Sequence, residues 1–401
     1  MNWGQALRDV RLSQGYSLDD ISARTGISKG HLSRIERGQR PATPDIIRRY
    51  EEVLGVAVAA TVPGLDTGTV DDVKRRELLA SIAAASVGAG APPLERILDA
   101  QLTPPRQVGL GDVEAVEHAA RLCMRVDLSG NGSAIASMAR GALEWANGLF
   151  NARMSNAVRE RLAAATGLLA DRLGWATFDA SHAPRAVELL TYALDVASRS
   201  PDRDLWAHVL LDLSSVLAHM GRPADGVEAL RLALGDERVS SAEVANLHAV
   251  AARHCAAAGD IRGGLRHVER ALEALGKDRP ADAPEWARSI TYSPGHHDAA
   301  LGLALFALGD DARARAHLTS ALDRLPPGRT RTSLRCLIRL AALDLRDGDR
   351  DGARRRTEEA LQRAAAVRSA RITSDLSMLA AVAAEHGARD LTGELTTAAS
   401  R

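Results

Sequence analysis

Aromatic residues are scarce in this chain of 401 residues, where Phe, Trp and Tyr together account for 3%. Strands favour aromatic and β-branched side chains, so the shortage counts against a fold built on β-sheets. Ala, Leu and Arg dominate instead, and all three form helices readily. We therefore expect an all-α protein, with a hydrophobic fraction of 46% that is sufficient for a substantial core.

Net charge is also absent, because 51 Lys and Arg residues balance 51 Asp and Glu residues. The overall charge therefore does not indicate a nucleic-acid partner, and any DNA-binding surface has to be local. Cysteine is rare, and none of Cys123, Cys255 and Cys336 has a His or Cys neighbour at the spacing of a metal site. This pattern favours buried thiols in a reducing compartment over disulfides or a zinc site.

Long apolar runs are missing, since no stretch of about 18 apolar residues occurs. The beginning of the chain has no signal-peptide pattern, and we expect a cytoplasmic protein. No Gly-rich phosphate loop, nucleophile elbow or His-Glu-x-x-His motif is found. His296, His297 and Asp298 are consecutive, but neighbours on one helix point to different sides, and no further ligand is evident. We expect neither an enzyme nor a protein that binds a metal or a cofactor.

Residues 2–56 are predicted to form four or five short helices. Ser17 is a suitable N-cap for one of them, which ends before a tight turn at Gly26. Ser28 caps the next helix, and Gly38 ends it. This succession of caps and glycines predicts two helices separated by a short turn.

Two helices that cross steeply need a small residue at their contact, a glycine in the turn and apolar residues on their inner faces. Ser22 and Gly26 meet the first two needs, and Ile27, Leu32 and Ile35 form the inner face of the second helix. The outward positions then carry mostly hydrogen-bonding or cationic groups, as a helix in a major groove requires. These positions are Ser28, Lys29, Gly30, His31, Ser33, Arg34 and Arg37.

Residues 4–56, with Gly26-Ile27-Ser28 and Leu32-Ser33-Arg34-Ile35-Glu36-Arg37-Gly38, resemble the Cro/C1-type (Xre) helix-turn-helix family. The resemblance implies that residues 1–56 bind DNA and contact bases from the first half of the second motif helix. The implied base contacts are Ser28, Lys29, Gly30 and His31, with Arg34 one turn further on. Lys29 and Arg34 suit guanine O6 and N7, whereas Arg37 and Arg40 are better placed for phosphates.

The local charge of this domain is modest, with nine Lys and Arg against seven Asp and Glu in residues 1–56. Because a surplus of two charges gains little from counterion release, we expect a homodimer that binds an inverted repeat in double-stranded DNA. The alternative is a similar bundle of helices that binds protein instead of DNA. A solvated charged face alone would explain Arg34 and Arg37, but not the register of the turn.

Residues 57–111 separate this domain from the rest of the chain. They are rich in Ala, Gly, Pro, Thr and Val, have no strong apolar period, and contain Pro-Gly and Pro-Pro breakers. We predict a connector with one or two short helices.

From about residue 112 the chain repeats a turn residue that is followed twelve positions later by Ala. Seven positions before each turn residue the side chain is small, and five positions after it Ala or Gly is frequent. Two antiparallel helices joined by a tight turn approach closely only where side chains are small, so the pattern predicts stacked helical hairpins. The turn residues are Gly130, Ser181, Gly221, Gly259, Gly309, Gly348 and Gly387.

This pattern resembles the tetratricopeptide repeat (TPR) and extends over residues 112–401. Successive turns are 38 to 51 residues apart, against about 34 in the family, which predicts longer helices and two insertions. The resemblance implies a superhelix whose first helices line a concave groove, where TPR proteins take extended peptides. A generic helical bundle is the alternative.

Positions thirteen, six and three residues before the turns are predicted to face this groove. Arg and Asn side chains there suit a peptide backbone or a terminal carboxylate, and Phe306 would add an apolar contact. The insertion at 276–297, with Trp286 and Tyr292, is either a lid beside the groove or a packed loop. The candidate ligand-binding residues are Trp175, Phe178, His208, Asn246, Arg253, His296 and Arg335.

An Xre-type domain followed by TPR-like repeats is similar to the architecture of bacterial peptide-responsive quorum-sensing regulators. The resemblance implies a sequence-specific transcription regulator whose array senses a short peptide, another small ligand or a protein partner. Ligand binding would shift the array between states that space two DNA-binding domains differently. The alternative is a TPR interaction scaffold that its helix-turn-helix domain anchors to DNA.

Overall fold

The computed structural model describes residues 3–56, 58, 105–130, 132–277 and 283–400. These residues form α-helices joined by turns and short loops, with one isolated β-bridge between Gln107 and Arg153. No described helix is both long and apolar enough to cross a membrane. The all-α prediction is confirmed, whereas most of the predicted connector at 57–111 lies outside the described residues.

The chain divides into two compact units, residues 1–101 and 102–401. In the described part of the first unit, four helices surround an apolar core that contains Leu7, Ile21, Leu32, Ile35 and Tyr50. The inner face predicted for the second motif helix is thus confirmed for Leu32 and Ile35. The helices are α1 (Trp3–Ser13), α2 (Leu18–Thr25), α3 (Lys29–Glu36) and α4 (Pro44–Leu54).

A buried polar cluster ties α1, α3 and α4 together. The Arg11 guanidinium donates two hydrogen bonds to the Glu36 carboxylate, from Nε at 2.6 Å and from Nη2 at 2.7 Å. The Tyr50 hydroxyl donates to the same carboxylate at 2.9 Å. Burial and the Glu36 charge raise the pKa of Tyr50, which keeps this donor protonated. Because every charge in the cluster has a partner, its burial is tolerated.

The described part of the second unit contains seven antiparallel helical hairpins, which form a TPR-like array. The first helix of each hairpin follows the second helix of the one before it. The pairs are α5 (Leu110–Leu128) and α6 (Gly132–Leu149), α7 (Asn156–Asp179) and α8 (Ala183–Ala197), α9 (Arg203–His219) and α10 (Pro223–Leu234), α11 (Ser241–Ala257) and α12 (Ile261–Leu275), α14 (His296–Leu308) and α15 (Asp311–Arg324), α16 (Thr330–Asp347) and α17 (Arg350–Ala364), and α18 (Ala370–Glu385) and α19 (Arg389–Ala399).

Every turn residue predicted from the repeat adopts a left-handed backbone conformation. The six glycines among them have φ between 70° and 98°. Ser181 has φ 67° and is the single non-glycine residue with positive φ in the described part of the chain. The left-handed conformation is costly for residues with a Cβ, which explains why six of the seven positions are glycine.

The small residues before and after the turns meet at the helix contacts, as predicted. A Cβ built at Gly226 would lie 2.9 Å from the Ser214 carbonyl oxygen, and one built at Gly264 would lie 3.1 Å from that of Ala252. The first distance is shorter than real Cβ atoms show and the second is unusually tight, so larger side chains would push the paired helices apart. Cys123, Cys255 and Cys336 are buried free thiols. Cys123 is the small residue seven positions before the turn at Gly130.

The described part of the 276–297 insertion is a packed segment. It contains the short helix α13 (Glu285–Ser289), and Trp286 is buried in the core formed by the first hairpins. The Trp286 Nε1 donates a hydrogen bond to Asp202 at 2.8 Å, and Thr291 is also buried. Residues 283–297 therefore form a packed loop.

Ionic contacts join the beginning of the array to its end. Arg371 on α18 donates to both oxygens of Asp179 on α7, at 2.9 and 2.8 Å. Arg331 on α16 pairs with Asp179 at 2.8 Å and also with Asp127 on α5. These pairs join residues that are 152 to 204 positions apart in sequence across the concave side. The first helices therefore surround an interior cavity.

Candidate nucleic-acid interface and ligand cavity

Caps at both ends of α2 fix the turn between α2 and α3. The Asp20 backbone N–H donates to the Ser17 hydroxyl at 3.2 Å, and the Ser17 N–H donates to the Asp20 carboxylate at 2.8 Å. At the other end Gly26 has φ 73°, and its N–H donates to the Ser22 carbonyl. The capped geometry holds α3 in a defined direction relative to α2, as a helix-turn-helix motif requires.

The eight residues predicted to contact DNA lie on α3 or directly beside it. Most of them are exposed, whereas His31 and Ser33 are half-buried. A Cβ built at Gly30 would meet nothing within 4 Å, so packing within the domain does not demand a glycine there. The exposed members are Ser28, Lys29, Gly30, Arg34, Arg37 and Arg40.

The exposed charge of residues 28–40 is entirely positive. Glu36 is the only acid in this segment, and it is turned inward to Arg11. Lys29 forms an exposed ion pair with Asp19 at 2.6 Å, which is weak in water. Arg34 and Arg37 donate only to backbone carbonyls of α3, at 3.1 and 3.2 Å. This segment thus presents a cationic surface although the domain is almost neutral.

The second unit contains a cavity of about 310 Å³ in the middle of the array. All seven first helices contribute to its wall, and the second helices contribute none of the described lining residues. The prediction that the first helices line the concave side is therefore confirmed. This volume is at the lower end of the range of small-molecule sites, which is about 300–1,000 Å³.

The structure brings all seven candidate ligand-binding residues to this cavity. Phe306 does not line it and instead lies under Arg346, whose guanidinium carbon is 4.5 Å from the ring centroid. The lining candidates are Trp175, Phe178, His208, Asn246, Arg253, His296 and Arg335.

Two of these candidates, His208 and Asn246, take part in one hydrogen-bond network in the wall. His208 Nδ1 lies 3.0 Å from Glu243, and Asn246 Nδ2 donates to the same carboxylate at 3.5 Å. Thr291 donates to its other oxygen at 2.6 Å. Burial opposes ionisation of Glu243, but the His208 charge and the hydrogen bonds from His208, Thr291 and Asn246 together outweigh burial and lower the Glu243 pKa. The network therefore holds His208 and Asn246 in place.

The tautomer of His296 follows from its partners. Arg329 is only a donor, so its Nη2, 2.9 Å away, makes His296 Nδ1 an acceptor. Nε2 then carries the proton and donates to Asn246 Oδ1 at 3.2 Å. Burial and the nearby Arg329 charge lower the pKa of His296 well below its ordinary value, which agrees with a neutral ring.

Arginine and aspartate pairs that sequence patterns did not reveal complete the wall. Arg172 donates to Asp212 at 2.7 Å, and Arg335 donates to Asp375 at 2.7 Å. Arg371 lies over the Trp175 ring, with its guanidinium carbon 4.1 Å from the centroid. Arg172 lies three residues before Trp175, and Asp212 lies three residues before Ser215. Trp175 and Ser215 are the groove positions six residues before their turns. A search for buried charges one turn before the groove positions would have found Arg172 and Asp212.

Known protein sequences match the first unit of the chain. The model of the helix-turn-helix family matches residues 7–59. The Transcriptional regulator ClgR of Mycobacterium tuberculosis, in strains CDC 1551 / Oshkosh and ATCC 25618 / H37Rv, is 31% identical to this chain over 88 residues. These residues make up 22% of this chain and 75% of each relative.

A solved structure similar to this chain is the crystal structure of Bacillus thuringiensis PlcR in complex with the peptide PapR7 and DNA. The two chains are 12% identical, with a TM-score of 0.38, over 79% of this chain and 92% of that one.

The capped α2–α3 motif, its cationic surface and the matched sequences define a DNA-binding transcriptional regulator. The chain belongs to the Xre-type helix-turn-helix family of these regulators. Its second unit adds a TPR-like helical array.

Proposed function

We propose that this transcriptional regulator binds a small ligand in the cavity of its TPR-like array and that the ligand controls its binding to DNA. The observation that carries the proposal is that seven residues selected from the repeat register line a single cavity. These residues lie on five successive hairpins, from the second to the sixth. The cavity volume favours a small molecule or a short peptide segment over a folded protein partner.

On the DNA side, we propose that a homodimer places two copies of α3 in the major groove of an inverted repeat. Arg34 and Lys29 contact base edges, with Ser28, Gly30, His31 and Ser33 beside them. Arg37 and Arg40 contact phosphates. The wholly positive exposed charge of residues 28–40 supports this assignment.

The ionic contacts around Asp179 provide a means for the ligand to act. They join the first hairpins to the last ones across the cavity, and Arg371 itself lines the cavity beside Trp175. A ligand that contacts these side chains would favour one curvature of the array over another. A change of curvature would alter the spacing of the two DNA-binding domains in the dimer.

Selection of DNA from a random pool with the full chain, at two salt concentrations, tests the DNA assignment. We expect an enriched inverted repeat at both concentrations. No enrichment, or binding that salt abolishes equally for all sequences, would contradict sequence-specific binding by the protein alone.

Ligand control is tested with a variant that fills the cavity. Ser215 is half-buried and lines the cavity, so Ser215→Phe should obstruct it, whereas Ser137→Phe at an exposed position of the second helix α6 is the matched control. We expect a protein-free extract of bacterial cells to change the DNA affinity of the wild type and of the control, but not of Ser215→Phe. The same response in all three proteins would contradict a role for the cavity.

A further inference from the structure

The cavity wall carries an excess of positive charge. In the described part of the chain, six arginines and three aspartates line it. Four of these arginines are matched by carboxylates: Arg172 by Asp212, Arg335 by Asp375, and Arg331 and Arg371 by Asp179. The remaining two are Arg253 and Arg329.

Arg253 forms no ion pair and no hydrogen bond with any described residue. It is half-buried on α11, six positions before the turn at Gly259, so its place in the register faces the cavity. Burial and the nearby charges of Arg335 and Arg339 lower the pKa of Arg253 to about 9, which leaves it cationic at neutral pH. A cationic group in such surroundings is costly without an anion.

Arg329 adds a second positive charge without a carboxylate. It is 5% exposed, and its hydrogen bonds go to the Ser289 carbonyl and the His296 ring. Its Nε has no hydrogen-bond partner among the described residues. The side chains of the cavity wall therefore give it a positive potential that the protein itself does not neutralise.

Another part of the wall is apolar. Trp175, Phe178, Leu211, Val250 and Leu303 contribute rings and aliphatic side chains to the same cavity. A ligand that matches both parts has one anionic group and an apolar body. A single guanidinium free to form two parallel hydrogen bonds fits a carboxylate, whose two oxygens it can engage together.

We propose that the cavity binds a small molecule in which one carboxylate is attached to an apolar body, and that Arg253 anchors this carboxylate. The inference rests on the proposed ligand-binding function of the cavity and names the chemical class of the ligand. The carboxylate comes either from a free carboxylic acid or from the C-terminus of a short apolar peptide.

Two pairs of probes with matched neutral forms test this assignment in the full chain. One pair is 4-phenylbutanoate and 4-phenylbutanamide, and the other is N-acetyl-Ala-Leu-Leu with a free or an amidated C-terminus. Binding is measured by calorimetry and by the shift of the melting temperature, at pH 7 and constant ionic strength. The variants are Arg253→Met, which keeps the length of the side chain without its charge, and Arg253→Lys, which keeps the charge. Arg262→Met on the exposed face of α12 is the control.

We expect at least one acid to bind the wild type and the control, and to bind Arg253→Met about ten- to hundredfold more weakly. Arg253→Lys should lie between them, and the neutral forms should bind weakly to all four proteins. Without probe, Arg253→Met should melt at the same temperature as the wild type or higher, because it removes an unpaired, half-buried charge. The acid that binds identifies the source of the carboxylate.

Three results separate failure of this inference from failure of the proposed function. If neither acid stabilises the wild type, or if the wild type and Arg253→Met bind it equally, the carboxylate assignment is wrong. If the neutral forms bind as tightly as the acids and change DNA affinity, the assignment is wrong but ligand control stands. If an acid binds through Arg253 and leaves the DNA affinity unchanged, the assignment stands and ligand control is wrong.

Discussion

Asp179 accepts two hydrogen bonds from Arg371, which lies 192 positions further along the chain. The same carboxylate also pairs with Arg331 at 2.8 Å and accepts a hydrogen bond from Ser369 at 2.8 Å. Burial opposes its ionisation, but Arg371 and Arg331 outweigh this and lower the pKa of Asp179. One aspartate on the second hairpin thus holds the sixth and seventh hairpins across the cavity.

Replacing this carboxylate should loosen the closed array. In Asp179→Asn the guanidinium groups of buried Arg331 and half-buried Arg371 lose their common anion, and we expect a loss of about 3 kcal/mol in the free energy of unfolding. Asp195→Asn, which removes an exposed partner of Arg199, should cost less than about 0.5 kcal/mol. Urea denaturation measures both. Equal, small effects would contradict the importance of the closure.

The closure itself was not predictable from the sequence, although the hairpins were. Each turn, and a close contact within one hairpin such as that of Ser214 with Gly226, depends on residues only a few helical turns apart. The spacing of Gly221, Ser214 and Gly226 therefore predicts the local geometry. The meeting of Asp179 with Arg371 depends on small rotations summed over five hairpins. No local pattern records that sum.

The candidate site shows the same division. The register placed Arg253 and Asn246 on the cavity wall, because positions thirteen and six before the turn share one helix face. It gave no sign that Asn246 is engaged by Glu243 and His296 whereas Arg253 has no such partner. Pairing depends on which long side chains meet between neighbouring hairpins, and many Arg and Asp residues compete for that role.

Separate replacement of Arg34 and Arg37, which differ in their position relative to α3, tests the DNA-binding surface. Arg34 lies on α3 itself, whereas Arg37 follows its last residue. We expect Arg34→Ala to lose selectivity at one base position, with a cost of about 1–3 kcal/mol. Arg37→Ala should weaken binding uniformly and reduce the salt dependence by about one charge. Binding to a panel of single-base variants at several salt concentrations measures both. An unchanged base preference in Arg34→Ala would falsify that assignment.

The stability of the array should depend on pH through His208. Burial opposes a charge on this ring, but Glu243 outweighs it and raises the pKa of His208 to about 9. Because the pKa of His208 is higher in the folded than in the unfolded protein, protonation of His208 stabilises the fold. This stabilisation is complete at pH values below the unfolded pKa of about 6.5 and is lost as the pH rises through about 9. The wild type should therefore lose more stability between pH 7 and pH 10 than His208→Gln does. Melting temperatures across this range check the expectation, with exposed His182→Gln as the control. If the difference in melting temperature between His208→Gln and the wild type does not change with pH, His208 is not the source of the pH dependence.

The turn at Ser181 offers a reciprocal test of the repeat register. Ser181 holds φ 67° with a Cβ, whereas Gly221 holds φ 78° at the equivalent turn, and a Cβ built at Gly221 would meet nothing within 4 Å. The difference between the two residues at these positions is therefore one of backbone conformation, not of packing. Because a left-handed conformation costs about 1–2 kcal/mol for a residue with a Cβ, Ser181→Gly should stabilise the array by up to about 1 kcal/mol once the greater chain entropy of glycine is counted. Gly221→Ser should destabilise it by a similar amount. Urea denaturation of both variants measures the pair, and changes of the same sign would show that the two turns are not equivalent.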